Sequence, residues 1–338
     1  MTLITTVRRR LLRRSLISAA ALGSAAALAV GASAGTGVAG AASTTSKAPY
    51  TINFGFISAT SGVMTGPWGF AYSKGLLQKW LKSDGIALKV AHFANGPLLT
   101  AAMIGGSIDL GILGDTPALI ARGQGLQARF LAQPELGLSA WLIAQPSIHT
   151  LSQLVGKTVA VQQGSYLDRY VQGLLSENGL LSKVNRVAML SAQSTPAFEA
   201  GSIDAILAQP SQWPTFQKTG KGYNIIAKSE TTPALEGTQA EIATNKILAA
   251  HPDLPQQFNA ARVKAVNYAN AHASAYYAWA AKNDQSNSAA EKIAGPLSNY
   301  PVEDFTATGI KHLQSTLNFL VSQKEAKAFN IKQWELQS

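Results

Sequence analysis

The residues best suited to chemistry lie in four short loops that combine glycine with serine, threonine or asparagine. They span residues 59–69, 95–97, 114–117 and 162–166, and each precedes a helix-like stretch. A helix start presents unpaired N–H groups and about half a positive charge, and glycine lets a ligand approach the backbone. Several such loops around one cleft would hold a small oxyanion.

The predicted ligand-binding residues come from these loops and from the region after a later strand. They are Thr60, Ser61, Trp68, Gly96, Asp115, Thr116, Gln163, Gly164, Ser165, Tyr166, Arg169, Gln209 and Trp213. Hydroxyls and Arg169 could pair with an oxyanion, and Trp68 or Trp213 could cover an apolar part. The loops could instead serve only to cap helices, because Asn95 and Asp115 are residue types favoured at the N-cap. Asp115 could also meet a cationic part of a zwitterionic ligand.

Enzyme motifs are absent from the sequence. Its five histidines are scattered without His-x-x-x-His spacing, and it has no cysteine. Ser165 stands in Gln-Gly-Ser-Tyr-Leu, which is not the Gly-x-Ser-x-Gly turn of serine hydrolases. No phosphate loop or dinucleotide fingerprint appears. We therefore expect a binding protein with no catalytic residue, metal or cofactor.

Half of the net charge of +10 comes from one end of the chain. Five of the 28 lysines and arginines lie within residues 8–14, and residues 1–42 contain no acid. The other basic residues form no stripe of the kind that binds nucleic acid. Apolar residues make up 46% of the chain and charged residues 14%, which is typical of a globular core. We expect no nucleic-acid partner.

Residues 1–42 have the pattern of a signal peptide for the Sec or twin-arginine route. The arginines precede an apolar stretch at residues 16–30, and small residues follow with Ala-x-Ala spacing. An uncleaved anchor helix is the alternative. No cysteine is present to carry a lipid anchor. We expect an exported, periplasmic or extracytoplasmic protein.

Strand-like and helix-like segments alternate from residue 50 onward. The predicted strands are 50–57, 89–93, 108–113, 158–162, 186–190 and 204–208. The predicted helices are 73–82, 98–104 and 167–178, and helix predominates after about residue 249. This alternation is typical of an α/β fold with a largely parallel sheet.

A Gly-Ser-Ile-Asp sequence occurs twice, at residues 106–109 and 201–204. Each copy follows a helix-like stretch, leads into a buried strand and is followed by a proline. The matching context indicates two similar lobes with a ligand cleft between them. We predict lobe 1 from residues 49–137 and 238–338 and lobe 2 from residues 138–237. Residues 133–142 and 231–243 would be the two crossover hinges.

Several stretches resemble the substrate-binding proteins of the aliphatic-sulfonate, taurine and nitrate ABC importers, most of all the alkanesulfonate branch. They are residues 93–97, 106–111, 114–117, 154–160, 163–165 and 201–205. The resemblance implies a type II periplasmic-binding fold with two lobes. It also implies a monomer that delivers a small anion, here an aliphatic sulfonate, to a membrane permease with a cytoplasmic ATPase.

The sequence departs from the family pattern at three places near the predicted cleft, namely residues 117–118, 166–169 and 208–210. The ligand could therefore also be nitrate, a pyrimidine vitamin precursor or an aromatic acid. Trp68, Tyr166 and Trp213 suit a flat ring as well as an alkyl chain. A ligand-sensing partner of a membrane signalling protein is a further alternative to a transport protein.

Overall fold

A computed structural model describes residues 49–58 and 61–336. The predicted signal peptide and Thr60 lie outside the described residues. The strands are β1 (Tyr50–Ile57), β2 (Ile86–Phe93), β3 (Leu110–Gly114), β4 (Ala128–Ala132), β5 (Trp141–Ala144), β6 (Thr158–Val161), β7 (Asn185–Ala188), β8 (Ala205–Ala208), β9 (Asn224–Lys228) and β10 (Gln239–Thr244).

Helices alternate with the strands and then dominate the end of the chain. They are α1 (Gly66–Ser73), α2 (Leu76–Ser83), α3 (Gly96–Ile104), α4 (Asp115–Gly123), α5 (Tyr166–Glu177), α6 (Ser191–Glu199), α7 (Trp213–Lys218), α8 (Asn245–Ala250), α9 (Leu254–Ala271), α10 (Ala273–Asn283), α11 (Ser288–Ala294), α12 (Ala307–Ser322) and α13 (Ile331–Trp334). Among the described residues, no helix is both long and apolar enough to span a membrane.

The strands form two sheets of five strands. The first has the order β2-β1-β3-β10-β4, and the second has the order β7-β6-β8-β5-β9. In the first sheet β1 is parallel to β2 and β3, whereas β10 is antiparallel to β3 and β4. In the second sheet β6 is parallel to its neighbours, whereas β5 is antiparallel to β8 and β9. Two lobes of the same α/β plan result, as predicted.

The chain passes between the sheets twice. It leaves the first sheet after β4 and enters β5, and it returns from β9 into β10. The two connections pair with each other, because the Leu138 N–H donates to the Gly237 carbonyl at 2.7 Å and the Gly237 N–H donates back at 3.1 Å. The two crossovers lie where the sequence predicts hinges, while the lobe boundaries themselves stay predictions.

The repeated Gly-Ser-Ile-Asp sequence performs the same task in both lobes. Gly106 and Gly201 both have φ of +75°, a conformation that favours glycine, and they follow the ends of α3 and α6. The Asp109 carboxylate accepts the Asn53 N–H at 2.9 Å, and the Asp204 carboxylate accepts the Thr158 N–H at 2.8 Å. The motif therefore ends a helix and ties the next strand to its neighbour.

Several element boundaries differ from the sequence prediction. The helix predicted at residues 73–82 corresponds to α2, which begins at Leu76; Ser73 is the last residue of α1, and Gly75, with φ of +71°, separates the two helices. Helix α1 begins at Gly66, inside the predicted loop 59–69. The sequence prediction did not include β4, β5, β9 or β10. Strand β5 is buried along its whole length and therefore lacks the alternation that identifies a strand exposed on one face.

Candidate functional site

A cavity of about 490 Å³ lies between elements of the two sheets. This volume is in the usual range for sites that bind small molecules. We call its lining residues between Leu138 and Phe216 the second wall, and its other lining residues the first wall. The first wall is largely apolar at Phe56, Met64 and Trp68, whereas the second wall is rich in hydroxyl and amide groups.

Helices begin at the cavity from both walls. The first residue or the N-cap of α1, α3, α4, α5 and α6 lies in the lining, namely Gly66, Gly96, Gly114, Ser165 and Ser191. A helix start generally offers unpaired N–H groups and a partial positive charge of about half a unit. Helix α4 is the exception, because the Asp115 N–H donates to the Thr238 carbonyl at 2.8 Å, the Thr116 N–H donates to the Asp115 carboxylate, and Pro117 has no N–H. The arrangement favours binding of an anionic group where these helices begin.

Ser165 and Tyr166 lie where α5 meets the cavity. The Ser165 hydroxyl oxygen accepts the Asp168 N–H at 3.3 Å, so its own proton stays available for a ligand. The Tyr166 hydroxyl accepts the Gln209 side-chain N–H at 2.8 Å, and burial raises the pKa of Tyr166. Gln209 also lines the cavity. These three predicted residues form one hydroxyl and amide surface on the second wall.

Asp115, Thr116 and Arg169 come together as a buried group that joins the lobes. Arg169 Nη2 lies 3.5 Å from Asp115 Oδ2, and Arg169 Nε donates to the Thr116 hydroxyl at 3.1 Å. The same Asp115 oxygen accepts the Thr238 N–H at 3.1 Å. All three side chains are almost fully buried. They therefore hold α4, α5 and the return crossover together, and Asp115 does not add a free negative charge to the cleft.

The other predicted residues have different surroundings. Gln163 is exposed, and Trp213 packs edge-on against Trp141 with ring centroids 6.5 Å apart. Gly164 has φ of +74°, and its N–H donates to Asp168 at 3.2 Å. Gly96 lines the cavity, but a Cβ there would lie only 2.2 Å from Pro117 Cγ. Close packing thus explains the glycine at 96 without any ligand.

Trp68 and Ser61 line the first wall, and their contact with a ligand stays a prediction. Trp68 packs on Phe258 with ring centroids 4.9 Å apart. Its indole N–H is buried and has no acceptor among the described residues. Unpaired buried donors are costly, so this N–H is a donor that a small local movement could offer to a ligand.

The C-terminal helices and their flanking residues contribute to the cavity, which the sequence did not indicate. Arg262, Asp284 and Tyr300 all line the cavity. Arg262 is buried but already paired, because it bonds Asn259 at 2.7 Å and lies 3.4 Å from Asp304. The position of Arg262 in the sequence could have indicated a buried charge, because it lies four residues after Phe258 on an otherwise apolar helix face.

Charge is distributed unequally between the walls. Arg262 and Asp284 belong to the first wall, and the second wall has no charged side chain among the described residues. Within the same part of the chain, no histidine, aspartate or glutamate cluster is arranged to hold a metal ion. The cleft would therefore hold a ligand by neutral donors, helix starts and apolar contact.

Comparison with known protein families shows to which family the chain belongs. The model of the family described as NMT1/THI5 like matches residues 70–275. The chain belongs to the NMT1/THI5-like family. One relative of this NMT1/THI5-like protein is a binding protein of Brucella abortus (strain 2308), which is 27% identical over 218 residues, covering 62% of this chain and 66% of that protein.

A second relative is a protein of Escherichia coli (strain K12) named as an aliphatic sulfonates-binding protein. It is 28% identical over 163 residues, which cover 47% of this NMT1/THI5-like chain and 49% of that protein. The chain therefore covers less than two thirds of the length of either relative.

Solved structures confirm the predicted periplasmic-binding fold. The alkanesulfonate-binding protein SsuA of Xanthomonas axonopodis pv. citri, bound to MOPS, has a TM-score of 0.71 at 20% identity, covering 86% of this chain and 100% of that one. The desulfurization enzyme DszB has a TM-score of 0.61 at 16% identity, covering 85% and 97%. The NMT1/THI5-like chain thus shares its fold with both a binding protein and an enzyme.

Proposed function

We propose that this protein is an exported solute-binding protein that captures a small anion, an aliphatic sulfonate, in the cleft between its lobes. The observation that carries the proposal is the arrangement of four helix starts, those of α1, α3, α5 and α6, around one cavity of about 490 Å³. The second wall adds Ser165, Ser191 and Gln209 as neutral donors. The apolar part of the first wall, at Phe56, Met64 and Trp68, suits the alkyl part of such a ligand.

Relatives support this assignment in two ways. Two of them are named for binding, and the Escherichia coli relative is named for aliphatic sulfonates. SsuA, whose fold is similar, is an alkanesulfonate-binding protein. We propose binding without catalysis for this chain, although DszB has the same fold, because the sequence has no cysteine nucleophile and the cleft hydroxyl of Ser165 has no histidine partner in the described residues.

Delivery to a membrane permease with a cytoplasmic ATPase completes the proposal. Closure about the paired crossovers at Leu138 and Gly237 would present the loaded form to the permease. Loss of the protein should abolish uptake of a labelled alkanesulfonate by the cell. Normal uptake, together with a lost transcriptional response to the ligand, would instead favour the sensing role.

A thermal-shift screen of the purified protein tests the ligand class. The panel holds alkanesulfonates, taurine, nitrate, sulfate, pyrimidines and aromatic acids. Binding at a hundredfold excess over Kd stabilises the native state by about 2.7 kcal/mol, which is easily seen. We expect a shift with sulfonates. A shift with ring compounds alone would support a binding role but contradict the assignment of a sulfonate ligand. If no compound in the panel causes a shift, the proposal is contradicted.

A further inference from the structure

A smaller chamber of about 80 Å³ lies beside the main cavity. The two share lining residues, among them Gln239, Asp284 and Tyr300. The chamber is formed by the first crossover at Glu135 and by the segment from α10 to Tyr300. This volume exceeds the minimum of roughly 10–15 Å³ that one water requires, so a small functional group fits.

Three carboxylates line the chamber, and no lysine or arginine does so among the described residues. Glu135 is 5% exposed; its Oε1 accepts the Tyr300 hydroxyl at 2.9 Å and its Oε2 accepts the Gln239 amide at 2.7 Å. Glu291 is 7% exposed, and its Oε1 has no hydrogen-bond partner in the described part of the chain. An unpaired buried carboxylate oxygen is costly unless something donates to it.

The ionisation of these groups is set by burial. Burial raises the pKa of Glu135 to about 7, although the bond from Tyr300 opposes the shift. Burial also raises the pKa of Glu291 to about 7; Asp284 adds to the shift, and the nearby Ser286 hydroxyl opposes it without forming a hydrogen bond to Oε1. The pKa of Asp284 is raised by its own burial. A cation entering the chamber would keep these carboxylates ionised at neutral pH.

Aromatic rings form the rest of the chamber. Tyr276, Tyr277, Trp279 and Tyr300 all line it. The faces of such rings attract cations within about 6 Å. The exposed Lys292 already lies 5.6 Å over the Tyr277 ring, outside the chamber lining. Carboxylates flanked by aromatic rings are a combination suited to an organic cation.

Gly295 keeps the chamber open. A Cβ at this position would lie 2.8 Å from Tyr300 Oη and 3.2 Å from Glu135 Oε1. A metal ion is a poorer occupant, because no cluster of three potential ligands among the described residues is arranged to hold one.

We infer that the chamber binds the protonated amine or amidinium group of a ligand whose anionic end lies at the helix starts of the main cavity. The inference rests on the proposed function and narrows the ligand to a zwitterion. Glu291 would accept from the ammonium group, and Tyr300 and Tyr276 would face it. Asp115, considered from sequence as the partner of such a cation, is already paired with Arg169.

A matched pair of ligands, propanesulfonate and 3-aminopropanesulfonate, tests the inference by calorimetric titration at pH 8. We expect the amino compound to bind at least about tenfold more tightly, as for a charge-assisted hydrogen bond. Glu291→Gln should remove the preference while leaving propanesulfonate binding unchanged. The exposed Glu303→Gln should keep the preference. Equal binding of both ligands to the wild-type protein would overturn the inference but not the proposed function.

Two further measurements keep the chamber testable if no sulfonate binds. Millimolar propylammonium, but not propanol, should raise the Tm of the wild-type protein and not that of Glu291→Gln or Gly295→Ala. If propylammonium does not raise the Tm of the wild-type protein, the inference is overturned, whether or not sulfonates bind.

The preference for the amino compound should also grow by up to about tenfold from pH 6 to pH 8, because a carboxyl of pKa about 7 becomes ionised over that range. A preference independent of pH would overturn the role of Glu291.

Discussion

The two walls of the cleft are built on sheets with the same plan, yet charged side chains line only one of them among the described residues. Strand order, the antiparallel fourth strand and the Gly-Ser-Ile-Asp turn recur in both lobes. Helices α3 and α6 are each nine residues long. The shared features position backbone, whereas the differing side chains determine what the cleft can bind.

One pair of equivalent positions shows this difference in the sheet core. Glu241 pairs with Ile112 in the first sheet, and Leu142 pairs with Leu207 in the second. Both residues directly precede a register shift, and both are buried. The first lobe thus buries a carboxylate where the second buries a leucine. Similar backbones therefore do not imply similar electrostatics.

The largest expected effect comes from breaking the link between the lobes. Asp115→Ala leaves the Arg169 guanidinium buried without its counterion, so we expect a loss of about 3–5 kcal/mol in the free energy of unfolding. Arg169→Met should cost less, since the Asp115 carboxylate keeps the N–H groups of Thr116 and Thr238. Urea unfolding of both single variants and the double variant measures the coupling. Strictly additive losses would contradict the ion pair.

An effect of comparable size, confined to high pH, is expected where the two sheets differ. Burial raises the pKa of Glu241 to about 8, against the opposing charge of Arg262 and with Asp304 adding to the shift. The stabilisation from its proton is therefore fully present below pH 4.5 and is lost as the pH rises to about 8. Glu241→Gln cannot ionise, so it should exceed the wild-type stability by about 4 kcal/mol at pH 8.5 and by only about 1 kcal/mol at pH 5.

Urea unfolding of Glu241→Gln at both pH values checks this result, with the exposed Glu303→Gln as control. Parallel pH profiles for the wild-type protein and Glu241→Gln would show that the buried carboxyl does not titrate in this window.

The smallest effect concerns what the lobes share. Asp109→Ala and Asp204→Ala each deprive one strand N–H of its acceptor, at Asn53 and at Thr158. We expect each variant to lose about 1–2 kcal/mol, because a backbone donor is left unpaired. The ion pair of Lys157 with Asp204, at 3.6 Å, is accessible to solvent, so its loss should add little to the destabilisation by Asp204→Ala. A large loss in one lobe and none in the other would refute the equivalence of the two turns.

Sequence patterns predicted the parts of the fold that depend on neighbouring residues. Strand β1 was predicted with its observed bounds, and the repeated turn predicted two similar lobes. Ser165 and Tyr166 follow a strand and start a helix, which makes such positions recognisable. The chamber could not be predicted in this way. Tyr300 contacts Glu135 across 165 residues of chain, and only the packing of α10 and α11 brings the two together.

The most direct test of the account is a calorimetric titration of the sulfonate identified in the screen against Ser165→Ala. This variant loses a helix cap and a cleft hydroxyl, whereas Thr244→Ala loses a comparable cap, at 3.4 Å, that is not part of the cleft lining. We predict that Ser165→Ala raises Kd about tenfold, as for one lost hydrogen bond to a charged group, and that Thr244→Ala leaves Kd unchanged. Equal affinity of Ser165→Ala and the wild-type protein would contradict the assignment of the anion to the helix starts of the second wall.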